Sequence, residues 1–220
     1  MARRIGSDGT RTQAAIRAAA TRLIARHGYE ALSMRRLAEE IGLQAPAIYR
    51  YYPNKQAILL CLMEAHILEM LEGWRAAKPA GTGPGASAAA SAGARLEAFT
   101  RFHIRHHWPR IDGLSVSHFE LRSLSAENFA RIEGLRNRYE REVVAILQAG
   151  VASGEFVRMD ARVTARAVMA LLNGLTTWYR PEGPIGRAEI EDMYWSMVAR
   201  LVGIGAKAVG TVTGGRLQPA

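Results

Sequence analysis

The sequence predicts an all-α chain of about nine helices, with an N-terminal three-helix head joined to a larger helical bundle. Three observations carry this expectation. Apolar residues recur at i, i+3, i+4 and i+7 along most of the 220 residues, the spacing of one helical face. No stretch alternates apolar and polar residues with β-branched enrichment, so no sheet is expected. Gly, Pro, Ser, Asn and Asp fall between the periodic stretches, where helix caps and stops belong. The expected organisation is a helix-turn-helix head over 1–55 and a bundle domain over 56–209. A flexible loop over 78–93 interrupts the bundle, and a tail occupies 210–220.

The first helix is expected from about Thr10 to His27, with Ile16, Ala20, Leu23, Ile24 and His27 as its buried stripe and Gly28 as its stop. Ser33 is placed to cap a short second helix whose apolar residues are Met34, Leu37, Ala38 and Ile41; Gly42 ends it. A third short helix covers Gln44 to Tyr51. Asn54 caps a fourth, from about Lys55 to Ala77, with Ile58, Leu59, Leu62, Ile67, Leu68 and Leu71 on its apolar face. Lys78 to Gly93 reads KPAGTGPGASAAASAG, a Gly/Ala/Ser/Pro composition with little to bury. Further helices are expected near 94–108 and 111–124. A long one near 126–153 is capped by Ser125, with Phe129, Ile132, Tyr139, Val143, Ile146 and Gly150 along one face. Asp160 caps a helix over 161–180 that Pro181 ends, and a last helix covers about 187–209.

Charge and composition narrow the function. The net charge is +9 and the pI about 10.3, a balance that favours polyanionic partners. Residues 1–55 hold ten Lys/Arg against four acids, so +6 of the +9 lies in a quarter of the chain. No run of about 18 apolar residues occurs, so no membrane span or membrane partner is expected. Met1 to Thr10 is basic and polar, unlike a secretory signal, and Cys61 is the only cysteine. The cytoplasm is the expected location.

The most specific constellation is Leu32 to Lys55, LSMRRLAEEIGLQAPAIYRYYPNK. Two short helices separated by Gly42-Leu43 have the anatomy of a DNA-binding helix-turn-helix. Leu43 and Ile48 are placed to face inward. That leaves Gln44, Ala45, Ala47, Tyr49, Arg50 and Tyr51 near the free face of the second helix. Small side chains there permit close approach to a major groove; Gln44 can read base edges, and Arg50 can meet guanine or a phosphate. Pro46 sits in the first turn, where its missing N–H has no helical partner to lose.

Residues 10–67 resemble the N-terminal domain of the TetR family of bacterial transcriptional regulators. The matching elements are His27-Gly28, then Ser33 with Ile41-Gly42-Leu43, then Ala47-Ile48-Tyr49-x-Tyr51-Tyr52-x-x-Lys55. Tyr52 where the family commonly has Phe, and Pro46 where Gly is frequent, are small departures. The resemblance implies that Ser33, Arg35, Tyr49, Tyr51 and Lys55 touch phosphates while Gln44, Ala45, Ala47 and Arg50 face bases. Tyr52 is expected in the core, and Arg36 as a solvated charge.

The C-terminal half resembles the family's ligand-binding and dimerisation domain. The 161–180 helix is apolar nearly all round from Val168 to Trp178. The last helix spreads Ile190, Met193, Tyr194, Met197, Val198, Leu201 and Val202 over a wide arc. A helix apolar on more than one stripe buries more than one side, so a homodimer built on 160–209 is expected, with a palindromic double-stranded operator to match. Phe102, His103, His106, Phe119, Arg122, Tyr139, Asn173 and Trp178 are the candidate effector-binding residues. The spacing of His103, His106 and His107 could place two imidazoles on one metal, line a pocket, or form a structural cluster. No Cys or acid converges there, so neither a metal nor a cofactor is expected. Leu124 to Asn128, Arg138-Tyr139-Glu140, Gly150 to Phe156 and Trp178 to Gly183 further resemble a subgroup that governs fatty-acid or steroid catabolism, with acyl-CoA effectors. Arg101, Arg105, Arg110 and Arg122 are the candidate cations for the phosphates of such a ligand.

The function expected is a sequence-specific repressor released from its operator by a small-molecule effector, acyl-CoA or another amphipathic, lipid-like ligand. The competing class is an architectural DNA-binding protein without an effector, which would bind with salt sensitivity but no sequence preference. No enzyme is expected. There is no nucleophile elbow, phosphate-cradling glycine loop or paired carboxylates on one helix face, and Glu39-Glu40 and Glu189/Glu191-Asp192 read as solvated or helix-end charge.

Overall fold

The computed structural model describes residues 7–79, 90–179 and 183–205, and every regular element among them is helical. The head consists of α1 (Ser7–His27), α2 (Met34–Glu40) and α3 (Ala45–Tyr49). The long α4 (Lys55–Ala77) leads into the body, which comprises α5 (Ala92–His107), α6 (Ile111–Phe119), α7 (Ala126–Ser153), α8 (Ala161–Asn173), α9 (Leu175–Trp178) and α10 (Arg187–Leu201). Single 3₁₀ turns lie at Tyr29–Ala31, Trp108–Arg110 and Glu120–Ser123.

The caps read from the sequence are made. Ser33 Oγ accepts the Arg36 N–H and Asn54 Oδ1 accepts the Ala57 N–H. Ser125 Oγ accepts from Asn128, and Asp160 from both Arg162 and Val163. Each satisfies a donor that the first helical turn would leave bare. Gly42 holds the turn between α2 and α3 at φ 67°, left-handed backbone that glycine adopts without Cβ strain.

Two apolar clusters form the core. One joins Ile16, Ala20 and Ile24 of α1 to Leu37, Ile48 and Tyr52, and then to Ile58, Leu59, Met63 and Ile67 of α4. Val116 of α6 and Ile132 of α7 close it from the body side. The other packs Trp74 and Phe99 against Tyr139, Val143 and Ile146 of α7, Val168 and Leu172 of α8, and Ile190, Tyr194 and Val198 of α10. The head therefore shares its core with α4, α6 and α7.

Several expectations need correction. His27, Leu68 and Phe129 are exposed rather than buried. On α4 the buried positions run instead through Met63, His66, Met70 and Trp74. The helix over 161–180 breaks at Gly174, whose N–H is shared between the carbonyls of Ala170 and Leu171. The segment near 111–124 tightens to a 3₁₀ turn after Phe119. The last helix ends at Leu201, where Gly203 turns to φ 83° and Ile204 N–H bonds back to Ala199, a glycine-dependent stop. Glu191, read as a surface charge, is buried. Both its oxygens accept from Arg105 Nε at 2.9 and 2.8 Å, and Arg187 and Arg101 lie close by. That ion cluster fastens α10 to α5. Residues 80–89 of the low-complexity segment, Pro181 and the tail 210–220 lie outside the described residues.

α7 carries Gly150 against the ring of Phe156, whose backbone N–H bonds to the Gly150 carbonyl. A methyl at Gly150 would overlap that ring. Gly150→Ala should therefore lower stability by about 1–3 kcal/mol, the usual cost of overpacking, as read by urea denaturation. Unchanged stability would show that the Phe156 turn yields freely.

Candidate nucleic-acid interface and buried cavity

In the head, Ser33, Arg35, Gln44, Tyr49 and Arg50 are exposed, with Arg35 paired to Glu39 at 3.2 Å, while Ala45, Ala47, Tyr51 and Lys55 are half-buried. Ile48, between them in sequence, is fully buried and holds α3 against α2. Tyr49 is 54% exposed, a large aromatic with no core role. Tyr52 is buried, with its hydroxyl 3.6 Å from Cys61 Sγ, as expected of a packing residue. Lys55 is engaged: its Nζ lies 3.3 Å from Glu30 Oε2 and 4.3 Å from the centre of the Tyr29 ring. That anchors its side chain between Glu30 and Tyr29 at the first turn of α4.

The body holds a partly open cavity of about 70 Å³ between α4, α5, α6, α7 and α8. Ile67, Met70, Leu114 and Met169 supply apolar wall; His66, His107, Asn173, Tyr139, Ser117 and Arg136 supply polar atoms. His66 also forms part of an outer groove between α1, α4 and the start of α6, where Arg17, Arg22 and Arg110 lie. One imidazole thus separates groove from cavity.

Of the candidate effector residues, Tyr139 and Asn173 line the cavity. His103 sits behind it, fully buried, with Nδ1 3.3 Å from the Tyr139 hydroxyl. Phe102 packs on Trp74 and His106. Phe119 and Trp178 are exposed, at 53% and 43%, and Arg122 is exposed as well, so none of the three reaches the cavity. The sequence reading missed His66, which lies on α4, far along the chain from the α5 histidines. Its signal was the polar gap in an otherwise apolar face.

The histidines form one cluster. The ring of His107 lies 4.9 Å from His66, 4.3 Å from His103 and 5.3 Å from His106. His66 Nε2, His103 Nε2, His106 Nε2 and both nitrogens of His107 are buried without a hydrogen-bond partner. Among the described residues no group of three or more His, Cys, Asp or Glu is arranged to hold a metal ion. Burial, reinforced by neighbouring positive charge, pushes His66 and His106 down to about 4 and His103 to about 3, and His107 falls well below the ordinary range. The cluster is neutral at physiological pH.

The cavity and the head are joined through α6. Leu114 and Ser117 line the cavity, and the 3₁₀ turn that continues α6 carries Glu120. Glu120 Oε1 accepts the backbone N–H of Tyr29 at 3.0 Å, and its Oε2 accepts the Ser123 hydroxyl at 2.6 Å. Gln56 of α4 clasps the same segment, donating to the Ser123 carbonyl and accepting the Ser125 N–H.

The neutral histidines predict a pH dependence. In the unfolded chain they titrate near about 6.5. Below that pH the unfolded state binds protons the folded state refuses, so stability falls as pH drops from about 6.5 towards about 4. Thermal melts from pH 7.5 to 5 should show Tm declining steadily, and His107→Gln should flatten the decline. An equal slope in wild type and variant would show that the cluster does not stay neutral in the fold.

Comparison with known proteins agrees with this geometry. The family model "Tetracyclin repressor-like, C-terminal domain" matches residues 89–202, over half of the chain, and "Bacterial regulatory proteins, tetR family" matches residues 16–62. Tetracycline repressor protein class C of Escherichia coli is 53% identical over 38 residues, and the class A repressor from transposon 1721 is 43% identical over 51. These stretches cover 17% and 23% of this chain, and only 17% and 24% of those repressors' own lengths. Among solved structures, a tetR-family regulatory protein from Rhodococcus RHA1 is 27% identical, with TM-score 0.77 over 86% of this chain and 96% of its own. The regulator PfmR from Thermus thermophilus is 29% identical, with TM-score 0.73 over 84% and 97%. AibR, solved in complex with isovaleryl coenzyme A and operator DNA, shares the fold at 22% identity, with TM-score 0.73 over 86% and 97%. The chain belongs to the TetR family: it is a DNA-binding transcriptional regulator rather than an enzyme, with an N-terminal helix-turn-helix and a C-terminal regulatory domain.

Proposed function

We propose that this regulator is a cytoplasmic homodimeric repressor that binds a palindromic operator and leaves it when a small molecule enters the α4–α8 cavity. The observation that carries the reading is the double duty of α6. It lines the cavity through Leu114 and Ser117 and, through Glu120, holds the backbone of the head. A ligand that shifts α6 changes the angle at which the head is held. Binding then favours a conformer whose two recognition helices no longer fit successive major grooves. A cavity lined by unpartnered polar atoms supports this reading over an architectural DNA binder, which needs no such space.

On DNA, α3 enters the major groove, with Gln44, Ala45, Ala47 and Arg50 towards bases. Ser33, Arg35, Tyr49, Tyr51 and Lys55 meet phosphates. An acyl-CoA or similar amphipathic effector fits the fold shared with AibR, but two of the cations assigned to its phosphates are already engaged. Arg101 pairs with Glu97 and Asp192, and Arg105 with Glu191. Of the others, Arg110 lies in the outer groove, paired with Glu69 at 3.7 Å.

The dimer reading draws support from α10, whose two stripes part company. Ile190, Tyr194, Val198 and Val202 are buried in the body. Met193, Met197 and Leu201 are exposed at 38%, 42% and 46%, and Val163 of α8 and Trp178 of α9 are exposed as well. A second copy packed on this face would complete a four-helix interface. Sedimentation at micromolar concentration should give twice the 24.1 kDa chain mass, and Met197→Asp should shift it towards the monomer. A wild-type monomer that persists with DNA present would contradict the twofold reading.

Base selection tests the head. Gln44→Ala should relax preference at one position per half-site, costing about 1–3 kcal/mol if the contact is bidentate. Lys55→Ala should weaken binding to all sequences and reduce the salt slope by about one unit per site. Altered base preference in Lys55→Ala with none in Gln44→Ala would place the wrong face in the groove.

A further inference from the structure

The cavity has a charge to satisfy. Arg136 of α7 lines it, and its desolvated guanidinium has a lowered pKa. Its one hydrogen bond is from Nη1 to the Ser117 carbonyl at 3.3 Å, and no carboxylate among the described residues comes within ion-pair distance of it. Glu140, one turn further along α7, also lines the cavity, but its Oε1 is taken by Arg166 of α8 at 3.4 Å. A desolvated cation with one long hydrogen bond and no carboxylate in direct contact is costly, and the charge of Glu140 reaches it only at longer range. Across the same space, His66 and His107 present nitrogens with no partner, and both side chains are more than nine-tenths buried. A neutral imidazole offers one N–H donor, and Asn173 and Ser117 add an amide and a hydroxyl to the wall. An anion with two oxygens can pair with Arg136 and accept from one of these donors as well. A cation would meet Arg136 and two histidines already crowded by positive charge.

Size sets a further limit. The cavity of about 70 Å³ is roughly half the ~150 Å³ that takes a benzene molecule, so only a compact ligand fits without rearrangement. Met70 and Met169, unbranched and adaptable, form the apolar wall that a longer tail would displace.

We propose that the cavity recognises a short-chain monocarboxylate, its carboxylate paired with Arg136 and hydrogen-bonded by His66 or His107, its tail against Met70 and Met169. This rests on the reading above that a small molecule in this cavity releases the operator, and assigns that molecule to a class much smaller than an acyl-CoA. A bidentate Arg–carboxylate pair supplies both affinity and selection against uncharged isosteres.

The test uses the full-length protein and three probes of one two-carbon skeleton, sized to the cavity: acetate, acetamide and ethylamine. Calorimetry reads binding, and fluorescence anisotropy reads release from the operator. Acetate should bind with a dissociation constant on the order of millimolar or tighter, and acetamide and ethylamine about 10- to 100-fold more weakly, the range expected for a charge-assisted hydrogen bond. In Arg136→Gln the preference for the acid should vanish. Arg136→Lys, which keeps the charge but loses the fork, should retain part of it, and a thermal melt of each variant reports folding. No binding of acetate to wild type, equal or tighter binding of the amide or amine, or an acid preference that survives in Arg136→Gln would overturn the assignment. The regulator reading is judged separately in the same titrations. If another ligand class releases the operator, that reading stands while the carboxylate assignment falls; if the ligand-free protein selects no operator, the reading itself falls.

Discussion

The hydrogen bond from the backbone N–H of Tyr29 to the carboxylate of Glu120 is the point on which this molecule turns. Tyr29 opens the short turn after α1, so whatever holds its backbone sets the direction in which α2 and α3 leave. Glu120 is itself held by the Ser123 hydroxyl, and Gln56 ties Ser123 and Ser125 to the start of α4. Four separate segments of chain meet at this joint: the end of α1, the start of α4, the end of α6 and the start of α7. The head core reaches the same place, with Val116 and Ile132 closing it from the body side. Head and body are therefore one packed object at this seam, not two domains on a flexible tether.

The buried histidine cluster gives that seam something to respond to. Cores are close-packed and stiff, so a cavity lined by polar atoms without partners is a place where a ligand gains more than van der Waals contact. His66 faces both an outer groove and the inner cavity, on a helix whose earlier turns pack in the head core. Leu114 and Ser117 stand on α6, one to two turns before Glu120. Occupation of the cavity and orientation of the head are thus linked by the two helices that belong to both. A differential fit of ligand to the two orientations is all that coupling requires.

Much of the fold was legible in the sequence because its signals were local. Ser33, Asn54, Ser125 and Asp160 each cap the helix they precede, and the bounds of α4 and α7 fall where the apolar period and its caps place them. The two-stripe pattern of α10 separates into a buried and an exposed row. The head was legible for the same reason, since its reading face and its packing residues alternate within one short segment. The cavity was much less so. Its lining comes from five helices, and no periodicity says which residues of distant helices converge. Of the candidates read from the sequence, Tyr139 and Asn173 line the cavity; His66, Arg136 and Glu140 were not among the candidates, and Phe119, Arg122 and Trp178 were but lie exposed elsewhere. Glu191 misled similarly, because three arginines that neutralise it sit on or across from its own helix. Neighbours of that kind belong to tertiary structure alone.

Operator affinity of Glu120→Ala tests the joint most directly, because charge and geometry predict opposite signs. Removing an acid raises the net charge, so on electrostatics alone the variant binds DNA more tightly. If Glu120 fixes the head, its loss frees that head to wander, and operator binding weakens by the ordering cost that the native joint removes. A joint of this kind predicts a severalfold rise in operator Kd with non-specific binding unchanged or slightly tighter. Operator binding as tight as wild type, or tighter, would contradict it.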